Sequence, residues 1–176
     1  TTGKNSADIA LVIDAMDLLH TERFSGFCLV TSDSDFTRLA SRIREHGIDV
    51  FGLGEAKTPS AFRHACKRFI FVENLLPEPE VEAGVKPVEA SKKVPFSKAV
   101  PLIIRALKSL HTEDDWYLLG ALGAQLNANI PDFDYRTYGA AKLSDLVIAT
   151  GMFEVDLTSK PARVRRKPQG RKKATK

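Results

Sequence analysis

The residues best equipped for chemistry are Thr31-Ser32-Asp33-Ser34-Asp35-Phe36. Two carboxylates spaced i, i+2 and flanked by hydroxyls are hard oxygen donors of the kind that suit Mg2+ or Mn2+. The same side chains suit another task, because aspartate is a preferred turn residue and helix cap. A short D-x-D leaves both readings open. Asp8 strengthens the first. It falls on the stripe of a predicted helix that is otherwise apolar, three and four residues before Leu11 and Val12, where an acid needs a partner or a cation. Asp14 and Asp17 offer further carboxylates on that helix. His20, His46, His64 and His111 are scattered without metal-ligand spacing and carry no assigned chemistry. Cys28 and Cys66 are too few for a disulfide framework or a zinc site, and read as two buried, reduced thiols.

For Asp33 and Asp35 to act together, the chain must hold them at the end of a strand. Residues 26–31, GFCLVT, form a short β-rich run of the type found in buried parallel strands. Before it, residues 8–20 place Leu11, Val12, Ala15, Leu18 and Leu19 at helical spacing. After it, residues 37–47 read as a helix stopped by Gly47, residues 48–54 as a strand, 60–69 as a helix and 69–75 as a third strand. Such alternation is the mark of an α/β parallel sheet with crossover helices. In open sheets of this kind ligands collect beyond the carboxyl ends of the strands, which is where the acidic motif falls. A second block has a different pattern. Residues 97–110 predict an amphipathic helix with Val100, Ile103, Ile104, Leu107 and Leu110 on one side, followed by helices over 116–130 and 135–150. A β-like MFEVDL then follows, against which ARVRR can pair back. Three helices and a terminal hairpin suggest a small winged-helix-like C-terminal domain.

Between the blocks, residues 77–95 hold four of the nine prolines and scarcely a large apolar side chain, a composition that reads as a linker. The 176 residues are 43% hydrophobic and 27% charged, ordinary for a globular chain, and no apolar run approaches a membrane span. The net charge of +4 is unevenly placed. Nine bases and no acid lie between Lys160 and Lys176, while the other 159 residues carry 17 bases against 22 acids. An acidic body with a basic tail favours polyanions through counterion release, without sequence specificity. The alternative is a solvated tail that aids solubility. The expected division is therefore 1–76, a linker over 77–95, a second domain over 96–158 and a basic tail over 159–176.

Three stretches together resemble a known family: K-x-x-x-D-I-A-L-x-x-D-A from Lys4 to Ala15, F-x-L-V-T-S-D-S-D-F-x-x-L-A-x-x-I-R-E-H-G from Phe27 to Gly47 (with Cys28 at the first x), and a closing S-A-F-x-x-A-C-x-x-F. They look like the NYN domain in its LabA-like, DUF88 branch, whose members are PIN-like ribonucleases of three-layer fold. The resemblance implies a metal-dependent RNA phosphodiesterase using Mg2+ or Mn2+. In it Asp8, Asp33 and Asp35 are the catalytic, metal-binding acids, Asp14 is an additional acid and Ser32 a phosphate or metal contact. The family pattern opens with a further strand bearing a D-x-x-N-type acid, and with Thr1 only a few residues ahead of the K…D helix, that N-terminal strand is expected to be missing.

Residues 97–157 similarly resemble a LOTUS, or OST-HTH, domain, through D-W-Y-L-L-G-A-L-G-A-Q-L (Asp115 to Leu126) and I-P-D-F-D-Y-R-T-Y-G-A-A-K-L-S-D-L (Ile130 to Leu146). This implies RNA binding or docking of a protein partner. Physically, Arg136 and Lys142 bracket the start of the predicted third helix, where cations can receive phosphate. Tyr135 and Tyr138 can stack on unpaired bases or, like Phe133, serve as core. Arg163, Arg165 and Arg166 head the basic run as phosphate contacts. Two functional readings stand: a cytoplasmic, metal-dependent ribonuclease acting on single-stranded RNA with an appended binding domain, or an inactive RNA-binding adaptor using the first block as scaffold. A phosphatase or phosphoacceptor receiver also uses strand-end aspartates, but needs a nucleophilic Asp with its own strand pattern, which this chain lacks.

Overall fold

The computed structural model describes residues 6–75, 93–112 and 114–168. Most of the expected linker (76–92) and the end of the basic tail (169–176) lie outside the described residues. The described residues form two compact units, with Ile130–Phe133 grouped with the first.

The first unit runs α1 (Ser6–His20), β1 (Gly26–Val30), a 3-10 turn (Ser34–Phe36), α2 (Thr37–Glu45), β2 (Asp49–Gly54), α3 (Ser60–Ala65), β3 (Arg68–Phe71) and a second 3-10 turn (Val72–Asn74). The three strands are parallel in the order β1-β2-β3, with Leu29 beside Gly52 and Gly52 beside Phe69. Strand alternation puts Phe27, Leu29, Val50, Phe69 and Phe71 on one face. There they join Leu39, Ala40 and Ile43 of α2 and Phe62 of α3 in the core. The other face is open: Cys28, Val30 and Phe51 are exposed. Cys28 is thus not the buried thiol expected of it, whereas Cys66 is buried, and loss of water pushes its thiol up to about 11.

Local chemistry explains where elements stop. Gly47 sits at φ +78°, and its N–H returns to the Arg44 carbonyl at 2.9 Å, closing α2 where the sequence placed the stop. The expected helix over 60–69 ends early because Cys66 turns extended and Lys67 N–H pairs with the Val50 carbonyl at 2.8 Å, which starts β3. Gly52 and Gly54 let neighbours come close. A Cβ at 52 meets Cys66 Sγ and Phe69 Cδ2 at 2.7 Å, and one at 54 meets Thr58 Oγ1 at 2.8 Å.

The second unit contains α4 (Val100–Lys108), β4 (Tyr117–Leu118), α5 (Leu119–Asn129), α6 (Leu143–Ala149), β5 (Phe153–Asp156) and β6 (Arg163–Arg166). Its sheet is antiparallel in the order β4-β6-β5. Ile103, Ala106, Leu122, Leu126, Leu146, Val147 and Val164 are fully buried. The expected helix over 116–130 yields its first residues to β4. The expected helix over 135–150 is divided: Asp134 caps a 3-10 turn (Tyr135–Tyr138), Gly139 closes it at φ +83°, and α6 begins only at Leu143. Arg163–Arg166 are not tail, because they form the central strand of this sheet with Val164 buried. Among the described residues, no helix is long and apolar enough to cross a membrane.

Candidate active site

Parallel strands end on the same edge of a sheet, so the connections leaving β1, β2 and β3 gather there. After β1, Thr31 N–H extends the ladder to the Leu53 carbonyl at 2.9 Å. The Thr31 hydroxyl oxygen then accepts the Asp33 N–H at 3.1 Å, and Asp33 Oδ1 accepts the Asp35 N–H at 2.9 Å. Asp33 is therefore the N-cap of the 3-10 turn that leads into α2. Both carboxylates are exposed, and that backbone N–H is the partner of Asp33 Oδ1. The two readings of D-x-D are thus compatible: one oxygen organises the turn, and the exposed remainder is available to a ligand.

Two further hydrogen bonds tie the three connections together. Ser32 Oγ accepts the Glu55 N–H at 2.9 Å, joining the β1 and β2 connections. Glu73 Oε1, just beyond β3, accepts the Ala56 N–H at 2.8 Å. Lys57 Nζ lies 2.7 Å from Glu55, and this hydrogen bond raises the lysine above its usual value. Among the described residues, Lys57 is the one basic residue of these three connections. Beside it Thr58 is buried, with its hydroxyl lacking a hydrogen-bond partner.

Asp8 is a different matter. It lies in the first turn of α1 and is half-buried. The apolar stripe that gave it weight is turned outward, since Leu11, Val12 and Leu18 are all exposed. α1 is buried only at Ala15 and Leu19, and seven residues of helix set Asp8 about 10 Å along the axis from Ala15. Asp14 is exposed. Among the described residues, no three of His, Cys, Asp and Glu come close enough together to hold a metal ion. The expected trio of Asp8, Asp33 and Asp35 is accordingly not assembled as a protein cage. What stands at the strand ends is a set of hard oxygen donors: the carboxylates of Asp33 and Asp35 with neighbouring hydroxyls. Its chemistry fits a cation such as Mg2+, which keeps several waters and takes one or two carboxylates plus substrate phosphate.

The cations expected to meet phosphate in the second unit are mostly engaged with acids. Arg136 reaches Asp134 with Nη2 at 2.7 Å and Nε at 3.0 Å, and that hydrogen bond raises the guanidinium further. Asp134 is itself buried. Lys142 is the exposed residue before α6. On β6, Arg165 pairs with Glu154 at 2.6 Å and lies over the Trp116 ring at 4.5 Å, while Arg163 stands 3.7 Å from Asp156 and 5.6 Å from the same ring. Arg166 is exposed. Acids two residues away (Asp134) or across a strand pair (Glu154, Asp156) decide which arginines are open to a ligand, and only the first kind is near in sequence. Sequence reasoning also passed over Glu55, Lys57 and Glu73. Their signal is positional: each lies in the connection just beyond a strand end, and it is visible only once those ends are known.

The first unit is thus a small parallel α/β unit with oxygen donors collected at the carboxyl edge of its sheet. Residues 1–75 match the NYN domain and residues 95–164 the OST-HTH/LOTUS domain, so the chain carries an NYN domain followed by an OST-HTH/LOTUS domain. Comparison with curated proteins gives no match, and comparison with solved structures gives none.

Proposed function

We propose that the chain is a metal-dependent RNA phosphodiesterase of the cytoplasm, with its NYN domain as the cleaving unit and its OST-HTH/LOTUS domain holding RNA or a protein partner. The observation that carries this reading is the convergence of Asp33, Asp35 and the Ser32–Glu55 link at one sheet edge, in a domain of the NYN family. On this reading the first unit is PIN-like and the second a winged helix with the β5–β6 pair as its wing. Asp33 and Asp35 would hold Mg2+ or Mn2+. When bound, the cation supplies Lewis-acid stabilisation of charge on the scissile phosphate. Asp33 orients the turn through its cap, and the Asp35 carboxylate follows on that turn. Lys57, at the lip, is held by Glu55, as the arginines of the second domain are held by their acids. Lys142 and Arg166 are the exposed cations assigned to RNA in the second domain, whereas Arg136, Arg163 and Arg165 hold Asp134, Asp156 and Glu154.

A second reading draws on the cap itself. Because Asp33 Oδ1 is engaged by the Asp35 N–H, the motif also makes sense in an inactive scaffold that presents RNA or a partner protein. Incubating the purified chain with labelled single-stranded RNA separates the two. The phosphodiesterase reading expects cleavage with Mn2+ or Mg2+ that stops on adding EDTA. Binding without cleavage at any metal concentration favours the scaffold, and cleavage undiminished by excess chelator refutes the metal mechanism.

A further inference from the structure

The connection after β3 plays no part in the expected acid set, yet it holds the connection after β2 in place. Glu73 Oε1 accepts the Ala56 N–H at 2.8 Å, its one hydrogen bond among the described residues, and Oε2 is buried with no hydrogen-bond partner. One residue earlier, Glu55 N–H donates to Ser32 Oγ at 2.9 Å. Ser32 is followed directly by Asp33, whose own N–H is fixed by Thr31 Oγ1 and whose carboxylate sets the turn of Asp35. The path from β3 to the two aspartates therefore runs through two hydrogen bonds and adjacent peptide units. A buried side-chain oxygen that accepts a single backbone N–H fixes that N–H in place, because breaking the bond leaves a buried donor unsatisfied.

From this chain of contacts we infer that Glu73 is a positioning residue for the metal-binding carboxylates: it acts through the Glu55–Ala56 backbone and Ser32 to hold Asp33 and Asp35 in register. The inference rests on the phosphodiesterase reading. It differs from a purely structural role in that the oxygen atom, and not the charge, is what Glu73 supplies.

The experiment takes the 176-residue chain as wild type and as Glu73→Ala, Glu73→Gln and Glu73→Asp. It measures Mn2+ affinity with the metal alone by electron paramagnetic resonance, kcat and KM on a single-stranded oligoribonucleotide, and hydrogen exchange of the Glu55 amide. Loss of a residue that orients ligands costs roughly 10-fold at the low end, so Glu73→Ala is expected to lose about 10-fold in Mn2+ affinity and in kcat. KM for RNA should stay within about 2-fold, because the RNA contacts are elsewhere. The Glu55 amide should exchange faster. Glu73→Gln keeps an oxygen that accepts from Ala56 N–H and should follow wild type in every readout. Glu73→Asp keeps the charge but shortens the reach, so it should resemble Glu73→Ala, and it carries the test where the alanine variant does not fold. A glutamine variant as impaired as alanine overturns the inference, because charge is then what matters. Alanine and aspartate variants equal to an active wild type overturn the inference alone, and loss of the fold in all three reduces Glu73 to a structural residue and overturns it too. A wild-type chain inert toward both Mn2+ and RNA overturns the phosphodiesterase reading, and the inference with it.

Discussion

Asp33 has two roles that a pair of substitutions can separate. Its Oδ1 caps the turn Ser34–Phe36 by accepting the Asp35 N–H at 2.9 Å, and its charge is the proposed cation ligand. Asparagine keeps a carbonyl oxygen in the same place and ranks with aspartate as a cap, so Asp33→Asn should change stability by a few tenths of a kcal/mol at most. Alanine removes the acceptor, at a typical cost of about 1 kcal/mol for an exposed cap. For a unit of this size that corresponds to a fall of roughly 4–8 °C in Tm. Calorimetry of the two variants reads the difference, with NMR signals of the buried Ile43 and Val50 identifying the transition of the first unit. Both variants should lose RNA cleavage, whereas only Asp33→Ala should lose stability. Cleavage retained in Asp33→Asn refutes the ligand role. An asparagine variant that melts as early as the alanine variant refutes the separation, since stability then depends on the charge.

Three other outcomes test the geometry. Gly54→Ala drives a methyl group against the Thr31 carbonyl oxygen and to 2.8 Å from Thr58 Oγ1, and overpacking of this kind should cost roughly 1–3 kcal/mol in chemical denaturation of the first unit; unchanged stability would show that the strand end can shift freely. The Thr158 hydroxyl and the Ser159 and Thr158 N–H groups hold the Asp156 carboxyl at about 2. That value lies below the ordinary carboxylate, so this stabilisation is full above about pH 4 and is lost as pH falls toward 2. An acid titration of unfolding should be flatter in that window for Asp156→Asn, and identical curves would discount the three hydrogen bonds. Deleting residues 169–176 removes Arg171, Lys172, Lys173 and Lys176 and leaves β6 whole. At ~0.7 per phosphate contact it should flatten the salt slope of RNA binding by up to about 3, as measured by fluorescence anisotropy, and an unchanged slope would show that these charges do not reach phosphate. Deletion from Lys160 instead takes out the central strand with Val164 and should unfold the second unit.

Much of the first unit could be read in the sequence, since its signals are local. The apolar runs at 26–30 and 49–54 are strands because nothing else suits them, and Gly47 stops α2 by its own backbone freedom. The acidic motif fell at a strand end for the same reason. Misreadings arose where a distant partner decided the outcome. Val50 claims the Lys67 N–H and so shortens α3, while β6 recruits Tyr117 and Leu118 away from the helix that their neighbours favour. Helical spacing made Leu11, Val12 and Leu18 look buried, yet only Ala15 and Leu19 of that helix are covered. The same holds for charge. The run of bases near the end of the chain is plain in the sequence, but Glu154 and Asp156 reach Arg165 and Arg163 only through the β5–β6 pairing. Glu73 and Glu55 were passed over because the edge they share exists only once three strands are aligned.

The stack of Arg165 on Trp116 also determines what light can report. Trp116 is the single tryptophan of the chain, and the three tyrosines are Tyr117, Tyr135 and Tyr138. All four chromophores belong to the second unit, while the aromatic content of the NYN domain is phenylalanine. Absorbance at wavelengths where indole and phenol dominate is therefore a property of the OST-HTH/LOTUS domain. Intrinsic emission tracks whether two guanidinium groups still flank one indole ring. Tryptophan placed in the first unit, at the exposed Phe51 for example, gives that half of the protein an optical signal of its own.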